Sequence, residues 1–279
     1  MPVSREMKTG WIATPARVPK NVSTSRDRDT ITAAMISPLP RIQSRAVLLA
    51  VLFLASATFA DNTAPPTAEA TPPSRIRVAC VGDSITWGFG IDGRQTNAYP
   101  AQLGRMLGSG WRVRNYGVSA RTLLNKGDLP YQKEGAFRDA LKFEPDFVII
   151  LLGANDSKPT NWKFKDEFAT DYKQLIEKFK AVPSHPTIYI CRPTPVPGEG
   201  NFGINEPGIQ EEIKLIDGIA RDENIGIIDL HKPLEGRPEL LPDRVHPNAA
   251  GATVLAKTVY ETLTARQPAG APVNGASAK

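Results

Sequence analysis

The sequence predicts an α/β domain in which a parallel sheet is covered by helices on both faces. Two observations predict it: strand-like and helix-like segments alternate along the chain, and several of the strands are continuous apolar runs. A continuous apolar run is typical of a strand that is buried on both faces, whereas a half-exposed strand alternates apolar and polar residues. The alternation of strands with helices indicates right-handed crossovers and therefore a parallel sheet.

Five segments have the composition of strands, and five more have the spacing of helices. The predicted strands are 75–82, 111–118, 146–153, 187–192 and 225–230. The predicted helices are 99–108, 133–143, 165–182, 211–223 and 248–263. The helix at 165–182 carries its large apolar residues along one stripe, as a helix packed on a sheet does. We expect Asn97 to cap the first of these helices and Asn248 to open the last.

By composition, the chain divides into four parts. Residues 1–60 form a leader, and residues 61–74 form a linker that is rich in Pro, Ala and Thr and is predicted to be disordered. Residues 75–264 contain the predicted strands and helices, which is enough chain for one domain with its own core. The tail at 265–279 resembles the linker in composition and is also predicted to be disordered.

Residues 35–60 have the layout of a secretory signal peptide. Arg41 and Arg45 precede a largely apolar run of fifteen residues that ends in small residues. This order is typical of such signals, so we expect cleavage near Ala60 and export to the periplasm or the extracellular space. A membrane anchor is the alternative, but a spanning helix needs roughly 20 apolar residues. Met35 precedes the basic residues, and we expect translation to start there.

The positive charge of the chain comes from the leader. The chain holds 34 Lys/Arg and 29 Asp/Glu, and residues 1–60 account for eight of the former and three of the latter. The remaining residues are therefore neutral overall, with 26 of each. A neutral protein has no general attraction to nucleic acid or to an anionic membrane surface. We therefore expect no nucleic-acid partner and no stable membrane anchor.

Cys80 and Cys191 lie within apolar runs that are predicted as separate buried strands. Export permits a disulfide, but buried free cysteines behave as small hydrophobic residues, and we favour the free form. The two cysteines and three scattered histidines show no metal-ligand spacing. No metal and no other cofactor is expected.

Four short polar segments lie at the ends of predicted strands or after the last strand. They are GDSIT (82–86), NYGVSA (115–120), GAND (153–156) and DRVHPN (243–248). In parallel α/β sheets, ligands bind beyond the carboxyl ends of the strands. We therefore expect the four segments to face one crevice.

These segments contain the residue types that nucleophilic catalysis needs. Asp243 lies three residues before His246, close enough for its carboxylate to orient the imidazole. An oriented histidine takes the proton of a serine hydroxyl, and Ser84 is the candidate nucleophile. The candidate oxyanion donors are the N–H groups of Ser84 and Gly117 and the side-chain amide of Asn155. Each segment alone is also explained by a turn or a helix cap.

Taken together, the four segments resemble the conserved blocks of the SGNH (GDSL-type) hydrolase family: Gly-Asp-Ser, Asn-x-Gly, Gly-x-Asn-Asp and Asp-x-x-His. The resemblance covers roughly residues 75–264. It implies a flavodoxin-like three-layer α/β/α sandwich with a five-stranded parallel sheet in the order 2-1-3-4-5. Ile85 and Ala120 stand where many members have Leu and Gly.

The resemblance also implies metal-independent ester hydrolysis through an acyl-serine intermediate. Carried over position by position, it makes Ser84 both the nucleophile and an oxyanion donor, with Gly117 and Asn155 as the other donors. His246 is then the base, and Asp243 supports it. No cofactor is implied.

Loops between the four segments are mostly polar and contain no large apolar patch. A polar cleft in an exported protein favours a small acyl group, acetyl above all, on a carbohydrate, and the expected partner is a small-molecule or polysaccharide ester. This agrees with the exported acetylesterase members of the family that it resembles. Asp83, Trp87 and Trp162 are the candidate substrate-binding residues. The two indoles are expected either to stack on sugar faces or to cover the edge of the sheet.

Two other functions stay open at this point. A lysophospholipase or thioesterase of the same family would need an apolar groove for an acyl chain. A non-catalytic carbohydrate-binding domain would have no use for Ser84, Asp243 and His246 together.

Overall fold

Five parallel strands form one sheet in the order β2-β1-β3-β4-β5. The computed structural model describes residues 74–265 of the chain. The strands are β1 Ile76–Gly82, β2 Trp111–Gly117, β3 Phe147–Leu151, β4 Thr187–Arg192 and β5 Gly226–Asp229. The predicted fold class, the number of strands and their order are confirmed.

Eight helices lie between and after the strands in this part of the chain. They are α1 Ser84–Trp87, α2 Arg94–Asn97, α3 Tyr99–Leu107, α4 Gly135–Lys142, α5 Pro159–Trp162, α6 Phe168–Lys180, α7 Glu206–Glu223 and α8 Ala249–Ala265. The five longer helices correspond to the predicted ones. The four-residue helices α1, α2 and α5 are too short to give a periodic pattern, and they lie in segments that were predicted as loops.

Helix α7 begins at Glu206, ahead of its predicted start at 211. Asn205 caps it, because its side-chain oxygen accepts a hydrogen bond from the Gly208 N–H at 2.9 Å. Pro207 lies in the first turn, where the missing N–H of proline costs no helix hydrogen bond. Pro207 and Gly208 are usually signs of a loop, but here they belong to the capped first turn of the helix.

The two predicted caps have different outcomes. Helix α3 begins at Tyr99 without a side-chain cap, so the prediction for Asn97 was wrong. Asn97 ends α2, and its amide donates to the Asp92 carbonyl at 2.8 Å. Asn248 does open α8, since its side-chain oxygen accepts from the Gly251 N–H at 2.9 Å.

The sheet is buried between two helical layers. Helices α3 and α8 contribute to the core on one face, and α4 and α6 contribute to the core on the other. Val78 and Cys80 of β1 belong to the first core, and Ala79 and Val81 belong to the second. β2 lies at one edge of the sheet, and only one of its seven residues is buried. The inner strands β1, β3 and β4 are mostly buried, as their apolar runs predict.

Cys80 and Cys191 are both buried and free, which confirms the form favoured from the sequence. Among residues 74–265, no helix is long and apolar enough to cross a membrane. The predicted leader at 1–60 lies outside the described residues, as do the linker and the tail apart from one terminal residue each.

Candidate active site

The carboxyl ends of β1, β2 and β3 lie side by side at one edge of the sheet. Gly82, at the end of β1, pairs with Gly117 of β2 and Leu151 of β3. Three of the four polar segments therefore leave the sheet at the same level. The fourth, at 243–248, precedes α8 and joins them through a direct side-chain contact with the first.

Ser84, His246 and Asp243 form a continuous hydrogen-bonded chain. Ser84 Oγ lies 2.8 Å from His246 Nε2, and His246 Nδ1 lies 2.7 Å from Asp243 Oδ2. Because an ionised carboxylate only accepts hydrogen bonds, Nδ1 carries the proton of the neutral ring, and Nε2 accepts from the serine hydroxyl. Ser84 is 5% exposed and His246 is 8% exposed, so only a small part of each is open to a substrate.

Three donors hold the Asp243 carboxylate. Besides His246 Nδ1, the backbone N–H groups of Val245 and His246 donate to its Oδ1 at 3.0 and 2.7 Å. Partial burial raises the pKa of Asp243, but these hydrogen bonds outweigh it, and the pKa lies below its ordinary value. The group is therefore ionised at neutral pH and favours a positive charge on the neighbouring imidazole.

A sharp turn from β1 into α1 positions Ser84 at the first residue of a helix. Asp83 caps this helix, because its side chain accepts from the Ile85 N–H at 2.9 Å. The turn requires glycine at position 82, where a Cβ would lie 2.6 Å from the Leu151 carbonyl oxygen. The close approach of two strands at Gly82 thus fixes where the serine emerges.

Of the three predicted oxyanion donors, one belongs to Ser84 itself, and a second, the Asn155 amide, contacts the neighbouring Asp83. The Ser84 N–H is in the first turn of α1, where backbone N–H groups have no partner within the helix. Asn155 Nδ2 donates to the Arg121 carbonyl at 3.1 Å. It also lies 3.4 Å from Asp83 Oδ2, which is at the limit of a hydrogen bond. One amide hydrogen of Asn155 is therefore held weakly.

Gly117, the third predicted donor, does not have a free N–H in this structure. That group donates to Asn115 Oδ1 at 2.8 Å. A Cβ at Gly117 would lie 2.3 Å from the backbone nitrogen of Trp87, so glycine is needed to pack against α1 rather than to admit substrate. Ala120 on the same loop has a φ of 67°, and within residues 74–265 its N–H makes no hydrogen bond.

Asp83, predicted to bind substrate, lies beneath the site and is only 1% exposed. Burial raises its pKa to about 7, although the hydrogen bond from the Ile85 N–H acts in the opposite direction. Asp83 caps α1 and contacts the Asn155 amide. With only 1% of its surface exposed, Asp83 offers almost no area to a substrate, and a role in substrate binding stays a prediction.

Two further buried carboxyl groups interact with Asp83. Asp156 accepts from the N–H groups of Leu123 and Leu124 at 2.9 and 2.8 Å, and burial raises its pKa to about 7. Glu212 of α7 has no hydrogen-bond partner in the described part of the chain, and burial raises its pKa well above the ordinary value. No group of three His, Cys, Asp or Glu side chains in that part is arranged to hold a metal ion.

Both tryptophans that were predicted to contact sugar have partners within the protein. The Arg94 guanidinium lies 3.8 Å from the centroid of the Trp87 ring. Trp162 Nε1 donates to Glu211 at 2.9 Å, and its ring packs edge-on against Phe168. These contacts agree with the structural alternative for the two indoles.

Phe89 and Phe202, which were not predicted from the sequence, both contact the His246 ring. Their ring centroids lie 4.5 and 5.6 Å from that of the imidazole. A signal was present, because each phenylalanine lies between glycines, in GFG at 88–90 and GNFG at 200–203. The second loop comes from the segment after β4, which carried no expected site residue.

Comparison with known proteins identifies relatives of the whole described region. The model of the GDSL-like lipase/acylhydrolase family matches residues 80–254. An acetylxylan esterase of Xylanibacter ruminicola is 45% identical over 208 residues, which cover 67% of this chain. The matched region spans less than half of that relative, 43% of its length.

Solved structures share the fold at lower identity. A carbohydrate acetylesterase of Sinorhizobium meliloti superimposes with a TM-score of 0.56 at 22% identity, covering 68% of this chain and 99% of its own. An aryl esterase of M. smegmatis gives a TM-score of 0.55 at 20% identity, with the same coverage of both chains. Because the family model spans more than half of the sequence, the chain belongs to the GDSL-like lipase/acylhydrolase family.

Proposed function

We propose that this protein is a serine esterase that removes a small acyl group, acetyl above all, from a carbohydrate. The reaction proceeds through an acyl-serine intermediate and needs no metal ion. The observation that carries the proposal is the chain from Ser84 Oγ through His246 to Asp243, with contacts of 2.8 and 2.7 Å. Family membership supports ester hydrolysis, and the 45% identity to an acetylxylan esterase supports an acetylated carbohydrate.

In the first step, Ser84 Oγ attacks the ester carbonyl carbon while its proton passes to His246 Nε2. The imidazolium that forms is stabilised by the Asp243 carboxylate. A tetrahedral intermediate results, with a negative charge on the former carbonyl oxygen. The limited exposure of Ser84 and His246 supports a small acyl group, because a bulky one has little room beside the hydroxyl.

Backbone and amide donors stabilise this oxyanion. Ser84 supplies its N–H from the first turn of α1, and Asn155 supplies the amide hydrogen that is weakly held by Asp83. We infer that the Ala120 N–H takes the third position in place of Gly117, whose N–H is bonded to Asn115. The loop of Ala120 lies against Asn155, since the Arg121 carbonyl accepts from the Asn155 amide.

Collapse of the intermediate breaks the bond between the acyl carbon and the alcohol oxygen. His246 Nε2 gives its proton to that oxygen, the alcohol leaves, and an acyl-Ser84 ester remains. A water molecule then attacks the acyl carbon and transfers a proton to His246. The second collapse returns that proton to Ser84 Oγ and releases the carboxylic acid.

Replacement of the nucleophile tests the proposed mechanism. The wild-type protein should release acetate from p-nitrophenyl acetate with or without EDTA, and Ser84→Ala should lower kcat by at least about 1,000-fold because no acyl-enzyme can form. Ser109→Ala, at an exposed serine in the loop before β2, is the matched control and should retain full activity. Circular dichroism checks that Ser84→Ala is folded. If the folded variant retains activity, the proposed mechanism is wrong.

A series of acyl chain lengths separates the proposed substrate from the lysophospholipase or thioesterase alternative. The enzyme should prefer C2 over C8 to C16 p-nitrophenyl esters and should release acetate from acetylated xylan. A large preference for the long chains would contradict the assignment of an acetylated carbohydrate while leaving the serine mechanism in place.

We also propose that the hydrolase domain, 75–264, is exported after cleavage near Ala60. The basic and apolar pattern of 35–60 supports it. The amino-terminal sequence of protein recovered from outside the cytoplasm should begin near Asp61. A product that keeps the leader and stays in the cytoplasm would contradict export.

A further inference from the structure

Two exposed aromatic side chains contact the imidazole of His246. Phe89 is 43% exposed and Phe202 is 54% exposed, and they are two of the four large apolar side chains that are exposed within residues 74–265. They come from opposite parts of the sequence, and their rings contact one histidine at centroid distances of 4.5 and 5.6 Å. Exposed apolar groups that gather at one functional side chain indicate a ligand contact.

The backbone holds Phe89 in a fixed position. Its N–H donates to the Ser84 carbonyl at 2.9 Å, so the residue is tied to the nucleophile's own helix. Gly88 and Gly90 on either side have φ values of 91° and 73°, in the left-handed region that favours glycine. This turn directs the Phe89 ring towards His246 while leaving much of it in solvent.

Phe202 is fixed by contacts with the segment that carries Asp243. The side-chain amide of Asn201 donates to the Asp243 carbonyl at 3.1 Å, and its oxygen accepts from the Phe202 N–H at 2.8 Å. Phe202 itself has a φ of 55°, which is uncommon for an aromatic residue. Strained backbone that presents an exposed apolar ring is unfavourable for folding alone, which points to a role in function.

The reaction chemistry indicates which part of the substrate these rings contact. In the proposed reaction, His246 Nε2 gives its proton to the alcohol oxygen, so the alcohol lies beside the imidazole. The acyl group is bonded to Ser84 Oγ, and its oxygen points to the Ser84 N–H and the Asn155 amide. Side chains that contact the imidazole therefore adjoin the alcohol and not the acyl group.

We propose that Phe89 and Phe202 form an aromatic clamp that holds the apolar face of an uncharged sugar ring on the alcohol side of the ester. This rests on the proposed function and specifies its alcohol. A pyranose ring has C–H groups on its faces and hydroxyls around its rim. A half-exposed aromatic pair covers the faces and leaves the hydroxyls in water, whereas an acyl chain needs an enclosed groove.

Two acetate esters with different alcohols test the clamp. Ethyl acetate has an alcohol too small to fill it, whereas acetylated xylo-oligosaccharides should occupy it. For the oligosaccharides, Phe89→Ala and Phe202→Ala should each raise KM by about 5-fold and together by about 20-fold, the size expected for aromatic contacts. For ethyl acetate, kcat/KM should change by less than about 3-fold, because the clamp does not contact a small alcohol.

Matched variants separate the clamp from other effects. Met106→Ala, at an exposed apolar residue of α3, should leave the KM for the oligosaccharides and the kcat/KM for ethyl acetate unchanged. Phe89→Leu and Phe202→Leu retain an apolar contact with His246 but lose the flat ring, so they should also weaken the oligosaccharide selectively. They serve as the test if an alanine variant does not fold.

Each remaining outcome has a definite meaning. An equal loss on both substrates would show that the rings position His246, and the clamp would be rejected while the esterase proposal stands. A selective loss on ethyl octanoate relative to ethyl acetate would place the rings on the acyl side and also reject it. If the wild-type protein hydrolyses neither ester, the proposed function fails, and the clamp is rejected with it.

Discussion

Carboxylates at the same end of the sheet fall into two groups with opposite chemistry. The Asp243 side chain is 29% exposed and accepts three hydrogen bonds, and its pKa lies below the ordinary value. Asp83 is 1% exposed, and burial raises its pKa to about 7. Asp243 is hydrogen-bonded to His246, and Asp83 directly precedes Ser84 in the chain. The balance between burial and the supply of hydrogen-bond donors therefore decides whether the pKa of each carboxylate lies below or above its ordinary value.

The two groups also have opposite effects on stability as the pH changes. The lowered pKa of Asp243 stabilises the fold at pH values above the pKa that this group has in the unfolded chain. This contribution is lost as the pH falls through the pKa of the folded protein. The raised pKa values of Asp83 and Asp156 mean that the folded protein keeps protons that the unfolded chain releases above about pH 4. Their contribution is lost as the pH rises towards about 7.

Single replacements of Asp243 and of Asp83 by asparagine should give the largest contrast in kcat. Asp243→Asn should lower kcat by about 10,000-fold, because the amide no longer fixes the protonated Nδ1 of His246 or stabilises its positive charge. Asp83→Asn should lower kcat by only about 10-fold, the size of a weakened hydrogen bond to Asn155. Initial rates on p-nitrophenyl acetate at pH 7.5 measure both.

Circular dichroism and the thermal midpoint are the controls for both aspartate variants. Equal losses in two folded proteins would contradict the distinction between a carboxylate that supports the base and one that holds the helix.

An effect of intermediate size is expected at Glu212, on how the free energy of unfolding depends on pH. Burial raises its pKa well above its ordinary value of 4.5, so the folded wild-type protein loses stability as the pH rises from that ordinary value. Glu212→Gln has no proton to release, and its free energy of unfolding should fall less between pH 5 and 8, by up to about 1.4 kcal/mol for each pH unit. Urea unfolding at pH 5, 6.5 and 8 measures the slope.

Glu199→Gln is the control for Glu212, because Glu199 is exposed and in the loop before α7. It should keep the wild-type slope. If Glu212→Gln has the wild-type slope as well, Glu212 is not the group that holds a proton in the folded core.

The smallest effect is expected at Ala120. Its φ of 67° is unfavourable for any residue with a Cβ, so Ala120→Gly should raise the free energy of unfolding by about 0.5–1 kcal/mol. Esterase activity should be retained, since the N–H group is unchanged. Ala256→Gly, at a buried position in the interior of α8, should instead destabilise by more than about 1 kcal/mol, because the lost packing of the methyl group adds to the lower helix propensity of glycine. A loss of stability in Ala120→Gly would show that the alanine methyl group makes a compensating contact.

Much of the fold could be predicted from local patterns. The inner strands are continuous apolar runs because both faces of the sheet are covered, and this pattern is visible without coordinates. The start of α7 could not be placed, because it depends on Pro207 in a capped turn. The wrong cap for α3 has a similar cause, since Asn97 belongs to α2, a helix too short to show a period.

Side-chain direction limited the prediction of the site. The sequence identified Ser84, Asp243 and His246 because their chemistry is distinctive and their order is informative. It did not identify Phe89 or Phe202, because an apolar residue in a loop gives no sign of which side chain it will meet. It also selected the Gly117 N–H as an oxyanion donor, and the structure shows that this N–H is bonded to Asn115 and that the glycine packs closely against α1.

By itself, the sequence determined the parallel sheet and the presence of a serine, a histidine and an aspartate beyond the strand ends. These follow from hydrophobic periodicity and from residue chemistry, which are local properties, whereas the strand order was implied by the resemblance to the SGNH hydrolase family. Only the tertiary structure decided which carboxylates are buried, which N–H groups are already bonded and which rings face the imidazole. Those outcomes depend on contacts between residues that are distant along the chain, since burial and hydrogen bonding are set by every neighbour in space.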